Sequence, residues 1–207
     1  MIQRSMLLKS QFPTALLAVI FVSVSLFAIT YTSERSSFAQ SSTQSLDQTY
    51  SNTQCGISMS YPSDWTKQEL NEKVVYTTKL ANFKPSGPDG SGVSLKLEAN
   101  DITAYPESAK SVDAFANTEK ENILSIPQLT IEQSERTEVG GMPAYKIVHN
   151  NPITPENMWK TMNTIIVSND MQYMLLFTTT SQDSYERYAP VVDNMIKSIK
   201  IDGSKKC

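Results

Sequence analysis

His149 is the one histidine among the 207 residues, and it ends a strand-like segment immediately before Asn150-Asn151-Pro152. A single imidazole can act as a general base or as one ligand of a metal ion. A metal site built from several histidines is impossible in this chain. Because a lone histidine at a strand end is more often a hydrogen-bonded structural residue, we expect His149 to have no catalytic or ligand role.

Two groups of acidic residues have the composition of a cation site without its spacing. Asp89-Gly90-Ser91-Gly92 lacks the alternating oxygen ligands and the closing glutamate of a calcium loop, so we interpret it as a connector. Glu132, Glu135 and Glu138 follow one another along a strand-like segment. Such charges protect an edge strand against pairing with other chains, and we interpret them in this way. The sequence therefore assigns no metal ligand.

Sequence motifs of catalysis and of phosphate binding are missing. The chain has no Gly-x-Ser-x-Gly elbow, no Gly-x-Gly-x-x-Gly loop and no Gly-Lys-Ser/Thr loop. A nucleophilic hydrolase would also need a nucleophile and an orienting carboxylate next to His149. We therefore expect a protein that is not an enzyme, with no catalytic residue and no bound cofactor.

The first 39 residues indicate the compartment. Arg4 and Lys9 precede an uncharged run of 24 residues, 10–33. This order is typical of an export element, so we expect the rest of the chain to lie outside the cytoplasm. Ser37-Phe38-Ala39 predicts cleavage of a signal peptide between Ala39 and Gln40. The uncharged run is also long enough for an N-terminal membrane anchor, which is the alternative to cleavage.

The remaining residues are acidic and divide into three parts. Residues 40–207 carry 15 basic and 20 acidic side chains, with no basic cluster besides Lys205-Lys206, so we expect no nucleic-acid partner. Residues 40–52 are rich in Ser, Thr and Gln and predict a flexible linker, because they offer little apolar surface. Residues 53–201 have the size of one domain, and 202–207 form a short C-terminal tail.

Alternating residues predict a mainly antiparallel sheet. In 93–99 apolar residues alternate with Ser94, Lys96 and Glu98, which indicates a strand with one solvated face. Residues 173–177 are apolar at both parities, so both faces of their strand must be covered. Gly140-Gly141 and Asn169-Asp170 predict hairpin turns within a meander. The predicted strands are 57–61, 74–78, 93–99, 129–139, 142–149, 158–168 and 171–180.

Two helices are available to cover this sheet. Ser111 is the predicted N-cap of a helix that runs to about Leu124. Apolar residues follow helical spacing from Tyr185 to Ile199, but Pro190 would cost ~3 kcal/mol inside a regular helix. We therefore predict a short turn to Ala189 and a helix that begins at Pro190. Helices on opposite faces give an α+β fold, a three-layer αβα sandwich with a central, mainly antiparallel sheet.

Cys55 and Cys207 are the two cysteines of the chain. Disulfides persist outside the cytoplasm, and an even number of thiols allows one bridge with none left over. The bridge would be a structural staple and requires Cα atoms within ~7 Å of each other. Because Cys207 ends a Gly-Ser-Lys-Lys tail of a kind that frays, a free and exposed Cys207 is the open alternative.

Three blocks of turn and core residues follow one another along the chain: Gly56-Ile57-x-Met59-x-Tyr61-Pro62-Ser63-Asp64-Trp65, then Gly141-Met142-Pro143-Ala144-Tyr145-Lys146, then Tyr185-x-x-Tyr188-Ala189-Pro190 with Met195-Ile196-Lys197-Ser198-Ile199-Lys200-Ile201. Over about residues 50–201 these blocks resemble the PsbP-like family. This family comprises extrinsic proteins of the photosynthetic oxygen-evolving complex and their non-photosynthetic relatives. The resemblance implies an αβα sandwich with a central antiparallel sheet. Its structural anchors here are Tyr61, Pro62, Trp65, Gly141 and Tyr145.

The resemblance also implies a function without catalysis. The best-known members are lumenal subunits that stabilise a membrane complex, photosystem II, and help it to retain calcium and chloride. Calcium is therefore implied by the resemblance alone, since no ligand motif can be matched. We expect an extracytoplasmic module that docks on a protein partner at or near a membrane.

The alternative is a small-ligand or calcium-responsive carrier that uses a pocket between sheet and helix. A large concave pocket lined with polar groups would favour the carrier. A flat exposed aromatic patch would favour docking, and Trp65, Tyr145 and Trp159 are the candidate aromatic contacts.

Overall fold

A computed structural model describes residues 44–152 and 158–207 of the chain. These residues form strands and two helices around one large antiparallel sheet. The strands are β1 Gln48–Asn52, β2 Ile57–Tyr61, β3 Trp65–Val74, β4 Thr77–Pro85, β5 Ser94–Asp101, β6 Thr130–Val139, β7 Met142–Pro152, β8 Met158–Ser168, β9 Met171–Thr179 and β10 Lys200–Ile201. The helices are α1 Val112–Ser125 and α2 Gln182–Lys197.

The large sheet has seven strands in the order β3-β4-β5-β9-β8-β7-β6, and all neighbours are antiparallel. The predicted meander is its second half. Gly140-Gly141 joins β6 to β7 and Asn169-Asp170 joins β8 to β9, in both cases with two consecutive residues at positive φ. Glycine, Asn and Asp tolerate this conformation, which matches the right-handed twist of the strands. The segment with Glu132, Glu135 and Glu138 is an edge strand, as predicted.

The two helices cover opposite faces of this sheet. Ile147 and Ile165 pack with α1, whereas their neighbours Val148 and Ile166 belong to the core that includes α2. Successive side chains of a strand point to opposite faces, so this division places one helix on each side. The predicted three-layer αβα sandwich with a central antiparallel sheet is confirmed.

A small second sheet extends the α2 side, with the order β1-β2-β10. β1 pairs with all five residues of β2, and Tyr50 is only 1% exposed, with its ring 5.7 Å from the ring of Phe83. The expectation of a flexible linker over 40–52 is therefore wrong for 48–52, because the aromatic side chain of Tyr50 gives this polar segment a place in the core. Residues 40–43 lie outside the described residues.

Two predicted boundaries need correction. α2 is continuous through Pro190, which lies on its exposed side, and Ser181 caps it by accepting a hydrogen bond from the Ser184 amide. Burial of the opposite side of α2 against the sheet offsets the cost of the proline. Residues 74–78 are not one strand: β3 ends at Val74, β4 begins at Thr77, and the two residues between them form the hairpin turn, in which Val75 has a φ of 57°.

Candidate functional site

The α1 side of the large sheet is only partly covered and contains an open groove of about 1190 Å³. α1 lies over β6, β7 and β8, so no helix of the described residues covers the strands at the other end of the sheet on this side. One wall of the groove consists of Ile123 on α1 and of Ile126 and Leu129 after it. The opposite wall is the loop 86–93 between β4 and β5.

The floor of the groove is a set of polar side chains at matched positions on neighbouring strands. Thr178 on β9 pairs with Ser94 on β5 and with Thr161 on β8, and Thr161 pairs with His149 on β7. These four side chains all line the groove. With neighbouring strands ~4.8 Å apart, the row from β5 to β7 is ~14 Å long, and Lys84 on β4 extends it to ~19 Å.

Asn163 is the most buried polar side chain in the groove, with 2% of its surface exposed. Its Nδ2 donates a hydrogen bond to Glu119 Oε1 on α1 at 2.6 Å. Its Oδ1 is buried and accepts no hydrogen bond from the described residues. Burial raises the pKa of the Glu119 carboxyl, although the hydrogen bond from Asn163 acts in the opposite direction. Asn163 therefore brings a buried acceptor, unpaired among the described residues, to the lining of the groove.

His149 contributes an imidazole to the same floor. Its Nδ1 is buried and has no hydrogen-bond partner among the described residues, and burial lowers its pKa. A neutral imidazole offers a ligand one donor and one acceptor.

Two lysines and a tryptophan complete the lining. Lys84 and Lys96 are exposed within the groove, and neither forms an ion pair with a described residue. Lys96 pairs with Asn82, two residues from Lys84, which places the two lysines on diagonal positions with Cα atoms ~7–8 Å apart. Trp159 lines the groove with 43% of its surface exposed.

The three candidate aromatic contacts do not form one surface. Trp65 is 3% exposed and packs edge-on against Tyr188 of α2, on the opposite side of the sheet from Trp159. Tyr145 packs with the α1 cluster and lies beneath the Lys120 ammonium group. Trp159 alone of the three lies in the groove. The other structural anchors implied by the family resemblance lie in the core or in a turn. Tyr61 and Pro62 are buried, and Gly141 occupies the β6–β7 turn.

Similarity to known proteins agrees with this architecture. A sequence model of the family described as PsbP-like protein matches residues 14–201. The chain belongs to the PsbP-like family. No curated protein matches the chain in sequence.

Three solved structures show the same fold as this PsbP-like protein at low sequence identity. Cyanobacterial PsbP (CyanoP) from Synechocystis sp. PCC 6803 superposes with a TM-score of 0.55 at 13% identity, covering 75% of this chain and 92% of CyanoP. The Ran-binding protein Mog1p of Saccharomyces cerevisiae has a TM-score of 0.51 at 8% identity, with coverages of 74% and 94%. LpqN of Mycobacterium tuberculosis, involved in cell envelope biogenesis, has a TM-score of 0.50 at 12% identity, with coverages of 70% and 82%.

The acidic segments of the PsbP-like domain are engaged in ion pairs and hydrogen bonds. Asp89 binds Arg187 at 2.9 Å, and its loop forms a groove wall. A bulge in β6 directs Glu132 to Lys160 at 2.5 Å. Within 44–152 and 158–207 no group of three or more His, Cys, Asp or Glu side chains is arranged to hold a metal ion.

The structure of the PsbP-like domain joins Cys55 to Cys207 in a disulfide, with the two Cα atoms 4.6 Å apart. The tail 202–207 does not fray here, because the Asp202 amide donates to the Gly56 carbonyl at 2.7 Å and Lys206 binds Asp170 at 2.8 Å. Cys55 is fully buried, and its carbonyl accepts a hydrogen bond from the Tyr173 hydroxyl at 2.8 Å. The bridge lies far from the groove in the core on the α2 side.

The predicted cleavage site, Ala39 and Gln40, and the alternative membrane anchor lie outside the described residues. In the part of the PsbP-like chain that the structure describes, no helix is both long enough and apolar enough to cross a membrane.

Sequence reasoning found the polar face of β5 but missed the groove that this face forms. Lys84, Glu119, Thr161 and Asn163 were not singled out. One signal in the sequence could have indicated a groove. β5 has a polar face, whereas the residues of β9 are apolar on both faces and require cover on both. The position of α1 over only half of the sheet, which opens the groove, has no local sequence signature.

Proposed function

We propose that this chain is an extracytoplasmic, non-enzymatic binding module and that the groove beside α1 is its binding site. The observation that carries the proposal is the groove itself, an open cavity of about 1190 Å³ with a row of polar side chains across neighbouring strands in its floor. Asn163 lies in its lining, and the buried Oδ1 of Asn163 has no hydrogen-bond partner among the described residues. Of the two functions weighed from the sequence, a large concave pocket whose lining includes polar side chains favours ligand binding.

The dimensions of the groove favour an extended ligand over an enclosed small molecule. Small-molecule pockets measure ~300–1,000 Å³ and bury most of the ligand surface. The present groove is larger, about 1190 Å³, and is open to solvent along its length. It therefore fits a segment of a larger molecule, which attaches the module to a partner.

Three observations support the non-enzymatic and extracytoplasmic parts of the proposal. His149 lacks the hydrogen-bonded carboxylate that a catalytic base requires, within the described residues. The Cys55–Cys207 bridge suits an oxidising compartment. The leader of residues 1–39 has the residue order of an export element. Calcium dependence, implied by the family resemblance, stays a proposal without an assigned site.

Docking on a membrane-associated protein partner is the second candidate function, and the β3–β4 hairpin tip favours it. Val74, Val75 and Tyr76 are consecutive, apolar and exposed, and Val75 is 75% exposed. Three adjacent apolar side chains at a loop tip are a contact surface for a partner. Among the similar folds, Mog1p is a Ran-binding protein, which shows that one protein of this architecture binds another protein.

Affinity capture of the exported chain from its native membrane and envelope tests both candidates. Ser94→Trp fills the groove floor, and Thr49→Trp places the same side chain on exposed β1 as the matched control. Val75→Gly combined with Tyr76→Ser removes the apolar tip. We expect Ser94→Trp to lose the co-purifying partner and Thr49→Trp to keep it. Loss with the tip variant alone would assign binding to the hairpin instead, and retention by all variants would refute both sites.

A further inference from the structure

We propose that the ligand of the groove is an extended acidic oligosaccharide, a chain of sugar rings that carries carboxylate groups. This inference rests on the proposed function, which makes the groove the binding site. Three properties of the groove carry it: a hydroxyl-rich and amide-rich floor, an exposed indole ring, and two lysines without an ion-pair partner among the described residues.

The floor matches the hydrogen-bonding groups of sugars. Thr161, Thr178 and Ser94 each provide a hydroxyl that donates and accepts, as sugar hydroxyls do. Asn163 and His149 add an amide and an imidazole to the same lining. Because these side chains stand in a row across neighbouring strands, they can contact several consecutive rings.

The walls match the apolar faces of sugar rings. The indole of Trp159 is exposed at the groove, although an aromatic side chain of this size is normally buried for most of its area. Tryptophan combines a flat apolar surface with a polar N–H donor, which suits a ring that is apolar on its faces and polar at its rim. Leu176 in the floor and Ile126 in the wall add further apolar surface.

The charges select an acidic ligand. Residues 40–207 carry a net negative charge, yet the two lysines of the groove lack ion-pair partners among the described residues. Among the described residues Glu119 is the one carboxylate that lines the groove, and it already accepts a hydrogen bond from Asn163. Carboxylates spaced along an oligosaccharide can bind Lys84 and Lys96 in turn, at diagonal positions of the sheet.

The same features disfavour an acidic peptide. Peptides that add a strand require a free sheet edge, whereas the groove lies on the face of β5, β9, β8 and β7, all of which are paired on both sides. A peptide helix lays a continuous apolar face into its groove, whereas Thr161, Thr178 and Lys96 interrupt the apolar lining here. Proline-rich peptides require several aromatic side chains, and among the described residues Trp159 is the one Phe, Tyr or Trp in the lining.

Titration of the exported chain with three six-unit probes tests the inference: a galacturonate hexamer, an uncharged glucose hexamer and hexaglutamate. Binding is measured by calorimetry and by tryptophan fluorescence.

Lys84→Gln combined with Lys96→Gln should weaken binding of the galacturonate hexamer about tenfold, since each exposed ion pair contributes up to about fivefold. Lys197→Gln combined with Lys200→Gln, two exposed lysines outside the groove, should leave binding unchanged. Trp159→Leu should abolish the fluorescence change, because Trp65 is buried on the other face.

The inference is supported if the galacturonate hexamer binds at least several-fold more tightly than either other probe. Its binding should also weaken as salt is added and should weaken in the Lys84→Gln, Lys96→Gln double variant. Equal or tighter binding of hexaglutamate would overturn the inference in favour of an acidic peptide. If no probe binds while Ser94→Trp still loses the native partner, the ligand class is wrong and the groove remains the binding site. If no probe binds and Ser94→Trp is also without effect, the proposed function fails as well.

Discussion

Removal of the disulfide should strongly destabilise the domain. Cys55 and Cys207 are 152 residues apart in sequence, so the bridge closes almost the whole described domain into one loop. In the chain-entropy model a loop of this length stabilises the folded state by ~5 kcal/mol. For a urea m-value of ~2 kcal/mol/M, Cys207→Ser should lower the unfolding midpoint by ~2.5 M.

The assay is urea unfolding of the exported protein, followed by tryptophan fluorescence, with and without dithiothreitol. The wild type and Cys207→Ser should differ without reductant and coincide with it. Lys206→Ser is the matched control, because it removes the tail ion pair to Asp170 but keeps the bridge and should cost at most ~1 kcal/mol. The reasoning would be refuted if denatured, unreduced protein contained two free thiols per chain. It would also be refuted if the wild-type midpoint were the same with and without dithiothreitol.

Three further changes test the core, the hairpin and the tail. Trp65→Ala should cost ~3–5 kcal/mol in urea unfolding because the indole is buried, and a nearly neutral change would mean that the side chain is at the surface. Val75→Gly should stabilise the protein by ~1 kcal/mol, since glycine removes the positive-φ strain of a branched residue, and a lower melting temperature would contradict this. Asp170 has a pKa lowered to about 2, first by its hydrogen bond from Lys110 and then by that from Lys206. Because the folded pKa is below the unfolded value of ~3.9, its stabilisation is present above pH ~4 and is lost as the pH falls towards 2. The difference in melting temperature between the wild type and Asp170→Asn should therefore shrink over that window, and a constant difference would disprove the assignment.

The strands with clear alternation and the capped helix could be predicted from sequence, whereas the rest depended on tertiary contacts. β5 and the β6–β9 meander have strict alternation or two-residue turns, and Ser111 accepts the hydrogen bond from Ala114 that its capping role requires. β3 was missed because an exposed edge strand of mostly polar residues has no alternation to detect. β1 was missed because Tyr50 is its one fully buried residue.

The candidate site could not be predicted because it results from a difference between the two faces of one sheet. On the α2 side, the helix and the small sheet cover the apolar side chains of β4, β5 and β9 together, which leaves no cavity for a ligand among those residues. On the α1 side the helix contacts β6, β7 and β8, and the remaining strands expose Lys84, Ser94 and Lys96. Where a helix covers only half of a sheet face, a groove forms along the edge of the helix. Polar side chains on the uncovered half favour contact with water when no ligand is bound. If the groove binds a ligand as proposed, the polar residues of β5 serve solubility and recognition at once. A substitution that makes this face apolar would lose the ligand and create an aggregation-prone surface together.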